Sequence, residues 1–581
     1  MQRISTTLML ILMLTLLGAF PVAAQVEATA DLTALAESFP ADTVVFAAVR
    51  ADSDYLDTLD GLLVAAGEAA PQIRSLIGGQ SIRNLVAGRA VDFDAEIRPW
   101  LGETVAVGVI RNDTELTSVA EMASFFEAFL MPMTAVAITD RAGAEAYLRL
   151  DETGATLIDD GTYQLADGTF LRITDSALFY ANDTRAFGAP TDPLSASTDF
   201  TETVALLPEP RYNGLIYLNG PVVTSFAAAQ TAPADITTAG VTFTPILESF
   251  GSAAIGLTIR NERALTLDYL QRVSNPAALS AFGVTTGGPL DPVDLAFADR
   301  IPAGAPLVLL GDDLAQLYNI VVSSLRANAL LSVEGLDREV QQAALTQVNA
   351  AIGQATTAVR SLTGLDLDED IFGWMTGNYA LYAAFSPAAA EAQDLFGLLF
   401  GGTLPLEFGL LVEVTNPDAA RALVSGLGEA LNFLRGQFAN QGDATLTLTS
   451  EAVAGVQSLV VNIAAPTTLP FAIEFVIGAN DTVFVIGTRR AAEAAFAPSA
   501  GLTTDPAFSE ARTAFLPGSN RVLYLSGAGL APLALLAGGD EITAQSVEAL
   551  LGLISSSSIT TTIVNETDTL LRAVITLPVA P

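Results

Sequence analysis

The residue types that this chain lacks limit its chemistry more than those it contains. The sequence has no histidine and no cysteine, and all 26 of its basic residues are arginine. Without histidine, cysteine and lysine there is no imidazole base, thiolate nucleophile, Schiff base, disulfide or ordinary zinc site. What remains is carboxylate chemistry, hydroxyl chemistry without a histidine partner, and binding of metals that take oxygen ligands. We therefore expect a protein that is not an enzyme.

Charged residues are also scarce. They make up 15% of the chain, against about 25% in an average protein. The 64 acidic residues outnumber the basic ones, which gives a net charge of -38. Phosphate backbones and anionic lipid surfaces repel such a chain, so nucleic acid is not an expected partner.

The first residues have the pattern of a secretory signal. Arg3 precedes an apolar run from Leu8 to Phe20, and the small-residue sequence PVAA follows. The run is well short of the roughly 20 residues that a membrane-spanning helix needs. We predict a signal peptide over residues 1–24 and an exported protein, extracellular or periplasmic, with no transmembrane segment after cleavage. An uncleaved signal that holds the protein at the membrane is the alternative.

Four pairs of similar segments occur in the same order along the chain, which predicts a tandem duplication. The pairs are FPADTVVFAAV from Phe39 with IPAGAPLVLLG from Ile301, VDFDAEIRPWLG from Val91 with LDLDEDIFGWMTG from Leu365, RYNGLIYLNG from Arg211 with SNRVLYLSG from Ser519, and SAAIGLTIRNE from Ser252 with SSSITTTIVNE from Ser556. The second pair contains the two tryptophans of the chain, Trp100 and Trp374.

These pairs divide the chain into predicted parts. An N-terminal lead over residues 25–38 precedes copy A over 39–273, a linker over 274–300 and copy B over 301–581. Glycine and proline, as in TTGGPLDP, are typical of the linker.

Hydrophobic patterning predicts the fold class. The β-branched run from Thr43 to Val49 indicates a buried strand, and strand-like runs between Leu157 and Ala181 are separated by Asp-Gly and Asp-Ser turns. A helix is predicted where Leu314, Leu317, Tyr318, Val321 and Leu325 recur with helical spacing behind Asp312 and Asp313. A second, longer helix is predicted over Glu334 to Leu362. The prediction is an α+β protein made of two tandem copies of one unit, each a mainly antiparallel sheet with packed helices.

Acidic residues at alternate positions before each tryptophan are candidate metal ligands. They are Asp92, Asp94 and Glu96 before Trp100, and Asp366, Asp368 and Asp370 before Trp374. If extended, each set would place three carboxylates on one side of a strand and could bind calcium. The favoured interpretation is that they cap a helix leading to the tryptophan, since Asp366 and Glu369 have capping-box spacing. No other cofactor is expected.

Two apolar segments occupy equivalent places in the two predicted copies, EMASFFEAFLMPM and AEAQDLFGLLFGGTLPL. Their helically spaced apolar residues are Phe125, Phe126, Phe129 and Leu130 in the first and Leu395, Phe396, Leu399 and Phe400 in the second. The favoured interpretation is packing on the protein itself. The alternative is a binding surface for an apolar ligand or partner.

The segments FPADTVVFAAV and DFDAEIRPWLG, with its second-copy partner, resemble a family of exported bacterial proteins known as domain of unknown function 3352. The resemblance implies an envelope-associated protein with no assigned reaction, so no catalytic residue is carried over. The leading hypothesis is a non-enzymatic binding or scaffold protein of the cell envelope, with an unidentified envelope or extracellular partner of apolar character. The alternative is a carboxylate-based hydrolase of an extracellular polymer.

Overall fold

The computed structural model describes about seven-tenths of the chain. The described residues are 30–69, 92–111, 130–150, 152, 154–223, 249–260, 263–280, 290–333, 338–386, 406–438, 445–464, 472–499, 501–530, 554–565 and 567–578. The predicted signal peptide lies outside them. Within these ranges no helix is both long enough and apolar enough to cross a membrane.

The described residues form helices and one large antiparallel sheet of 20 strands, which confirms the α+β prediction. The strands of the first half are β1 Val45–Arg50, β2 Leu101–Arg111, β3 Leu130–Ile138, β4 Thr156–Asp159, β5 Thr162–Gln164, β6 Phe170–Ile173, β7 Ala177–Ala181, β8 Gly214–Leu218, β9 Phe250–Arg260 and β10 Ala264–Val273. Those of the second half are β11 Leu307–Asp312, β12 Asn378–Phe385, β13 Leu406–Glu413, β14 Thr445–Val453, β15 Val456–Ala464, β16 Ile473–Ala479, β17 Val483–Gly487, β18 Arg521–Ser526, β19 Ser556–Ile563 and β20 Asp568–Thr576.

Strand pairing follows a definite order in each half. On one side of β1 the neighbours are β2, β3, β7, β6, β5 and β4, and on the other side they are β8, β9 and β10. On one side of β11 they are β12, β13, β17, β16, β15 and β14, and on the other side β18, β19 and β20. Strand β10 pairs with β20, and this seam joins the two halves into one sheet.

Helices lie along both faces of the sheet. The α-helices are α1 Ala30–Thr33, α2 Ser53–Ala69, α3 Arg141–Leu148, α4 Thr198–Ala205, α5 Pro276–Ser280, α6 Leu314–Leu331, α7 Arg338–Thr363, α8 Pro417–Phe438, α9 Arg489–Phe496 and α10 Pro506–Arg512. Shorter helical turns span Ala34–Ser38, Phe93–Ile97, Thr184–Phe187, Leu194–Ala196, Leu295–Arg300, Leu367–Ile371, Phe372–Trp374, Leu502–Thr504 and Ala528–Leu530. The predicted linker therefore contains regular structure at both ends, α5 and the turn at Leu295–Arg300.

Alternation along the strands divides the core between two faces of the sheet. On the first face, which carries Phe46 and Val308, α1, α4, α9 and α10 contribute to the packing. On the second face, which carries Val49 and Leu309, α2, α3 and α8 pack together with the turns that hold the tryptophans. Both faces are thus covered over much of their length.

Local signals predicted several of these elements well. The predicted strand-like runs between Leu157 and Ala181 form a meander of four strands, β4 to β7, and Gly161 and Gly168 adopt positive φ values of 78° and 88° at its turns. Asp313 caps α6 by accepting the Gln316 amide at 2.9 Å.

Burial along α6 differs from the predicted stripe. Val321 and Leu325 are 51% and 49% exposed, while Val322 and Leu330 are buried. The spacing predicted the helix correctly, but the buried face includes Val322 instead of the predicted Val321.

Candidate functional site

The first acidic cluster forms a single wide helical turn that ends at Trp100. The Asp92 side chain accepts hydrogen bonds from the amides of Asp94 and Ala95, at 3.1 and 3.2 Å. The Asp92 amide donates to the Glu96 carboxylate at 3.4 Å, and the Trp100 indole donates to the Glu96 carbonyl at 2.8 Å. The cluster therefore caps the start of the turn through Asp92 and Glu96, and the Glu96 carbonyl accepts the hydrogen bond that fixes the position of the indole.

The second cluster repeats these contacts position by position. Asp366 accepts the amides of Asp368 and Glu369 at 3.0 and 3.3 Å, and its own amide donates to Asp370 at 2.8 Å. The Trp374 indole donates to the Asp370 carbonyl at 3.1 Å. The reciprocal partner of Asp366 is thus Asp370 rather than Glu369, the residue suggested by capping-box spacing.

This geometry does not place the alternate acids on one side of a strand, because both clusters are helical turns. Asp366 also forms an ion pair with Arg360, with 3.5 Å between the charged atoms. Among the described residues, no group of three or more acidic side chains is arranged to hold a metal ion. Calcium binding by Asp92, Asp94 and Glu96 or by Asp366, Asp368 and Asp370 stays the alternative hypothesis.

Both tryptophans are core residues. Trp100 is 7% exposed and its ring centroid lies 5.3 Å from that of Tyr147. Trp374 is 3% exposed and meets Phe484 edge to face at 5.8 Å. Each ring packs on the second face of the sheet, in the first and second half respectively.

The predicted apolar segments lie almost entirely outside the described residues. This applies to Phe125, Phe126 and Phe129 in the first and to Leu395, Phe396, Leu399 and Phe400 in the second. Leu130 is the first residue of β3, where its backbone pairs with Arg111. Whether these residues are core or binding surface stays a prediction.

A buried polar network lies at the seam. Asp268 on β10 faces Arg572 on β20, and the Tyr212 hydroxyl donates to the Asp268 carboxylate at 3.0 Å. Glu209 accepts from Arg572 at 2.8 Å and also pairs with Arg260. Burial raises the pKa of Asp268, and Arg572 offsets part of that rise. These charges are paired with one another across the two halves, which indicates a structural network.

A second polar cluster joins a serine to a carboxylate in the first half. The Ser252 hydroxyl donates to Asp199, and the Tyr217 hydroxyl donates to the same carboxylate at 2.8 Å. Ser252 also accepts the Gly220 amide at 3.3 Å. Because Ser252 is completely buried, no substrate reaches its hydroxyl in this conformation. The cluster is a structural network, not the arrangement of a serine nucleophile.

The distinctive surface is a band of apolar side chains on the second face of the sheet in the second half. Two rows of register partners cross strands β12, β11, β18, β19 and β20. The first row is Ala383, Leu307, Leu525, Ser557 and Ile575, and the second is Leu381, Leu309, Leu523, Ile559 and Ala573. We call these ten residues the apolar band. Its members are all partly or largely exposed, with Leu381 at 48% and Ile575 at 41%.

The corresponding rows of the first half are less exposed. They are Val109, Val45, Leu218, Ala253 and Gln271, and Val107, Ala47, Ile216, Ile255 and Tyr269. Nine of these ten residues are only partly exposed, and Ala253 is buried. The two halves therefore present similar strand positions with different accessibility.

Sequence patterning missed the band because its members come from five strands that are distant in the chain. The one local signal is the alternation within each strand, for example Leu307 and Leu309 of LVLLG. Exposed apolar residues on a sheet face become visible only when pairing brings the strands together.

Residues 189–432 match the model of a family described as Protein of unknown function (DUF3352). Over these residues the match confirms the resemblance to this family of unknown function. It includes the turn at Trp374 and crosses the predicted linker, but it does not reach the segments at Phe39 and Val91 on which part of the resemblance rested. Neither the curated proteins nor the solved structures gave a match.

Proposed function

We propose that this chain is an exported, non-enzymatic binding protein of the cell envelope, and that the apolar band is its binding surface for an apolar ligand. The observation that carries the proposal is the joint exposure of Leu307, Leu381, Ile559 and Ile575, which are 37 to 48% exposed and lie on the two pairs of adjacent strands that flank β18. Single exposed apolar side chains are ordinary, but a contiguous set on a rigid sheet is typical of a binding surface.

The residue types in the band support binding rather than catalysis. It contains leucine, isoleucine and alanine, with Ser557 as its one polar side chain. Leucine and isoleucine release about 1.5 to 3 kcal/mol each when fully buried, so covering their exposed parts would stabilise a complex. Export is proposed from the pattern of residues 1–24 alone.

We further propose that the two halves descend from one duplicated unit. The support is the corresponding strand order, the repeated hydrogen bonds around Trp100 and Trp374, and two matching bridges, Pro40 with Pro193 and Pro302 with Gly501. On this proposal, the two halves have diverged so that the apolar band of the second half is more exposed than the corresponding rows of the first half.

The test uses an uncharged apolar probe, N-phenyl-1-naphthylamine, whose fluorescence rises in apolar surroundings. We expect the protein to bind it and the double variant Leu381→Ser, Ile559→Ser to bind it at least fivefold more weakly. The free energy of unfolding should fall by less than about 1 kcal/mol per site, because these side chains are already exposed.

The matched control is Val107→Ser, Ile255→Ser, at the corresponding positions of the first half. These side chains are partly buried, so the control should lower stability more while leaving probe affinity unchanged. The absence of probe binding, or equal affinities for the wild type and the Leu381 and Ile559 double variant, would overturn the proposal.

A further inference from the structure

The seam pairs the two halves through corresponding strands. In the first half β9 and β10 form a hairpin in which Ile259 pairs with Leu265, and in the second half β19 and β20 form one in which Ile563 pairs with Thr569. Both turns contain the dipeptide Asn-Glu. These matching pairs determine which residue of β10 corresponds to which residue of β20.

One residue of the seam faces its own counterpart. Counting the same number of positions on from Leu265 and from Thr569 leads to Asp268 and Arg572, and these two residues are paired in the seam. In a contact between two identical units, a residue meets its own copy only at a twofold axis. A pseudo-twofold axis therefore runs between Asp268 and Arg572.

The pairs on either side of this axis obey the same symmetry. By the same counting, Ala264 corresponds to Asp568 and Arg272 corresponds to Thr576. Ala264 faces Thr576, and Arg272 faces Asp568. This reciprocal pattern, in which one residue meets a second and the second meets the first, is that of a symmetric dimer interface. The seam thus has the geometry of a dimer interface within one chain.

The charges at the axis break this symmetry. The Arg572 guanidinium lies 3.6 Å from Asp268 and donates to Glu209 at 2.8 Å, and both members of the axial pair are buried. The first half therefore supplies two carboxylates, and the second half supplies the guanidinium that pairs with both. Glu209 also pairs with Arg260 of its own half, so Asp268 is the carboxylate that depends on Arg572 for a charged partner.

Pairing of like halves would place like charges at the axis. Two first halves joined through β10 would set Asp268 against a second Asp268, and Arg272 would face Ala264 instead of Asp568. Two second halves joined through β20 would set Arg572 against a second Arg572. Burial of like charges against each other is strongly unfavourable.

We infer that the seam is a recognition surface between two separable units, and that the charges at its axis select the opposite half as the partner of each. Strand β10 binds an edge strand that brings a guanidinium to Asp268, and it disfavours a second copy of β10. The inference rests on the proposed duplication and goes beyond the proposed binding function. Selection by repulsion of this kind prevents the edge strands of two copies from joining like to like.

The test cuts the connection between the halves and keeps both. A flexible glycine-serine segment with a protease site is inserted between Gly287 and Gly288, and the folded full chain is then cleaved. Native mass spectrometry at about 1 µM protein should show complexes of one first half with one second half. Separated halves would overturn the recognition surface. Complexes of like halves as abundant as mixed ones would overturn selection by charge while supporting the duplication.

The charge is tested in the cleaved Arg572→Asp variant, whose mixed complex has the carboxylate pair expected of two first halves. Its dissociation constant, measured by dilution, should be at least about a hundredfold above that of the cleaved wild type. The matched control is Arg421→Asp, at the exposed pair with Asp418, which should leave the constant unchanged. Equal constants for the wild type and Arg572→Asp would overturn selection by charge.

Circular dichroism of the uncleaved variant shows whether it folds. If Arg572→Asp does not fold, Arg572→Met takes its place, since it adds no carboxylate, and it should raise the constant at least about tenfold. An unchanged constant in that variant would equally overturn selection by charge. None of these substitutions changes a residue of the apolar band, so their failure would leave the naphthylamine result and the proposed binding function standing.

Discussion

Asp268 and Arg572 face each other across the strands that join the two halves, with 3.6 Å between the carboxylate oxygen and the guanidinium Nε. Asp268 is completely buried and Arg572 is 4% exposed. Four positions along the same strands, Arg272 faces Asp568 at 3.1 Å. The seam is therefore held by charge pairs whose members come from different halves of the chain.

Removing the guanidinium at the seam should be strongly destabilising. Arg572→Met leaves Asp268 and Glu209 buried with fewer partners, so we expect the free energy of unfolding to fall by about 3 to 5 kcal/mol. Urea denaturation measures this loss. The control is Arg421→Met at an exposed ion pair with Asp418, where the loss should be below about 1 kcal/mol. Similar losses in the two variants would contradict a buried seam network.

Asp52 should make stability depend on pH in the acidic range. Burial alone would raise the pKa of Asp52, but the Tyr55 amide and Arg50 outweigh burial and hold it below its ordinary value. Its contribution is therefore fully present above about pH 4, the ordinary pKa, and is lost as pH falls through the lowered value.

Asp52→Asn should accordingly lower stability by about 2 kcal/mol at pH 7, and the difference from the wild type should shrink as pH falls below about 4. Melting temperatures measured from pH 7 downwards through this range test the prediction. Asp54→Asn, at an exposed position in the first turn of α2, is the control and should show no such convergence. A constant difference at every pH would show that Asp52 does not titrate as described.

The turn before Trp374 should depend on its cap and on the indole hydrogen bond. Asp366→Ala should cost about 1 kcal/mol, the usual value for a lost cap. Trp374→Phe should cost about 2 kcal/mol, because it removes the bond to the Asp370 carbonyl and some packing volume. Asp368→Ala is the control, since this side chain is exposed. Chemical denaturation of the three variants separates them, and a loss for Asp368→Ala as large as for Asp366→Ala would contradict the capping role.

Calcium distinguishes the two interpretations of the acidic clusters. Because carboxylates of Asp92, Glu96, Asp366 and Asp370 accept backbone amides, we expect millimolar calcium and a chelator to give the same melting temperature. Scanning calorimetry of the wild type tests this. A rise of several degrees in calcium that disappears in Asp368→Asn would establish the metal interpretation instead.

Local sequence patterns predicted the helices and strands better than they predicted which side chains are exposed. Helix α6 follows from Asp313 and the spacing of Leu314 and Leu317, since caps and helical periodicity are local properties. The α+β class follows from clustered strands and turn residues in the same way. The exposed face of α6 does not follow, because the rest of the molecule decides that Val322 is buried and Val321 is exposed.

The seam and the apolar band could not be predicted for a different reason. Asp268 and Arg572 are about 300 residues apart, and nothing near either residue specifies its partner. Pairing of β10 with β20 is decided by the register of whole strands, which cannot be obtained from one segment. The same non-local pairing brings Leu381 beside Leu309 and Ile559 beside Leu523.

The placement of one indole in each half gives the molecule two separate optical reporters. Trp100 and Trp374 are its only tryptophans, and both are enclosed in the core with a hydrogen-bonded ring nitrogen. Replacing either one by phenylalanine leaves a single emitter that follows its own half. If the charge pairs of the seam make the sheet melt as one cooperative unit, the emission of each single-tryptophan protein will shift to the red at the same denaturant concentration at which that protein loses its far-ultraviolet circular dichroism.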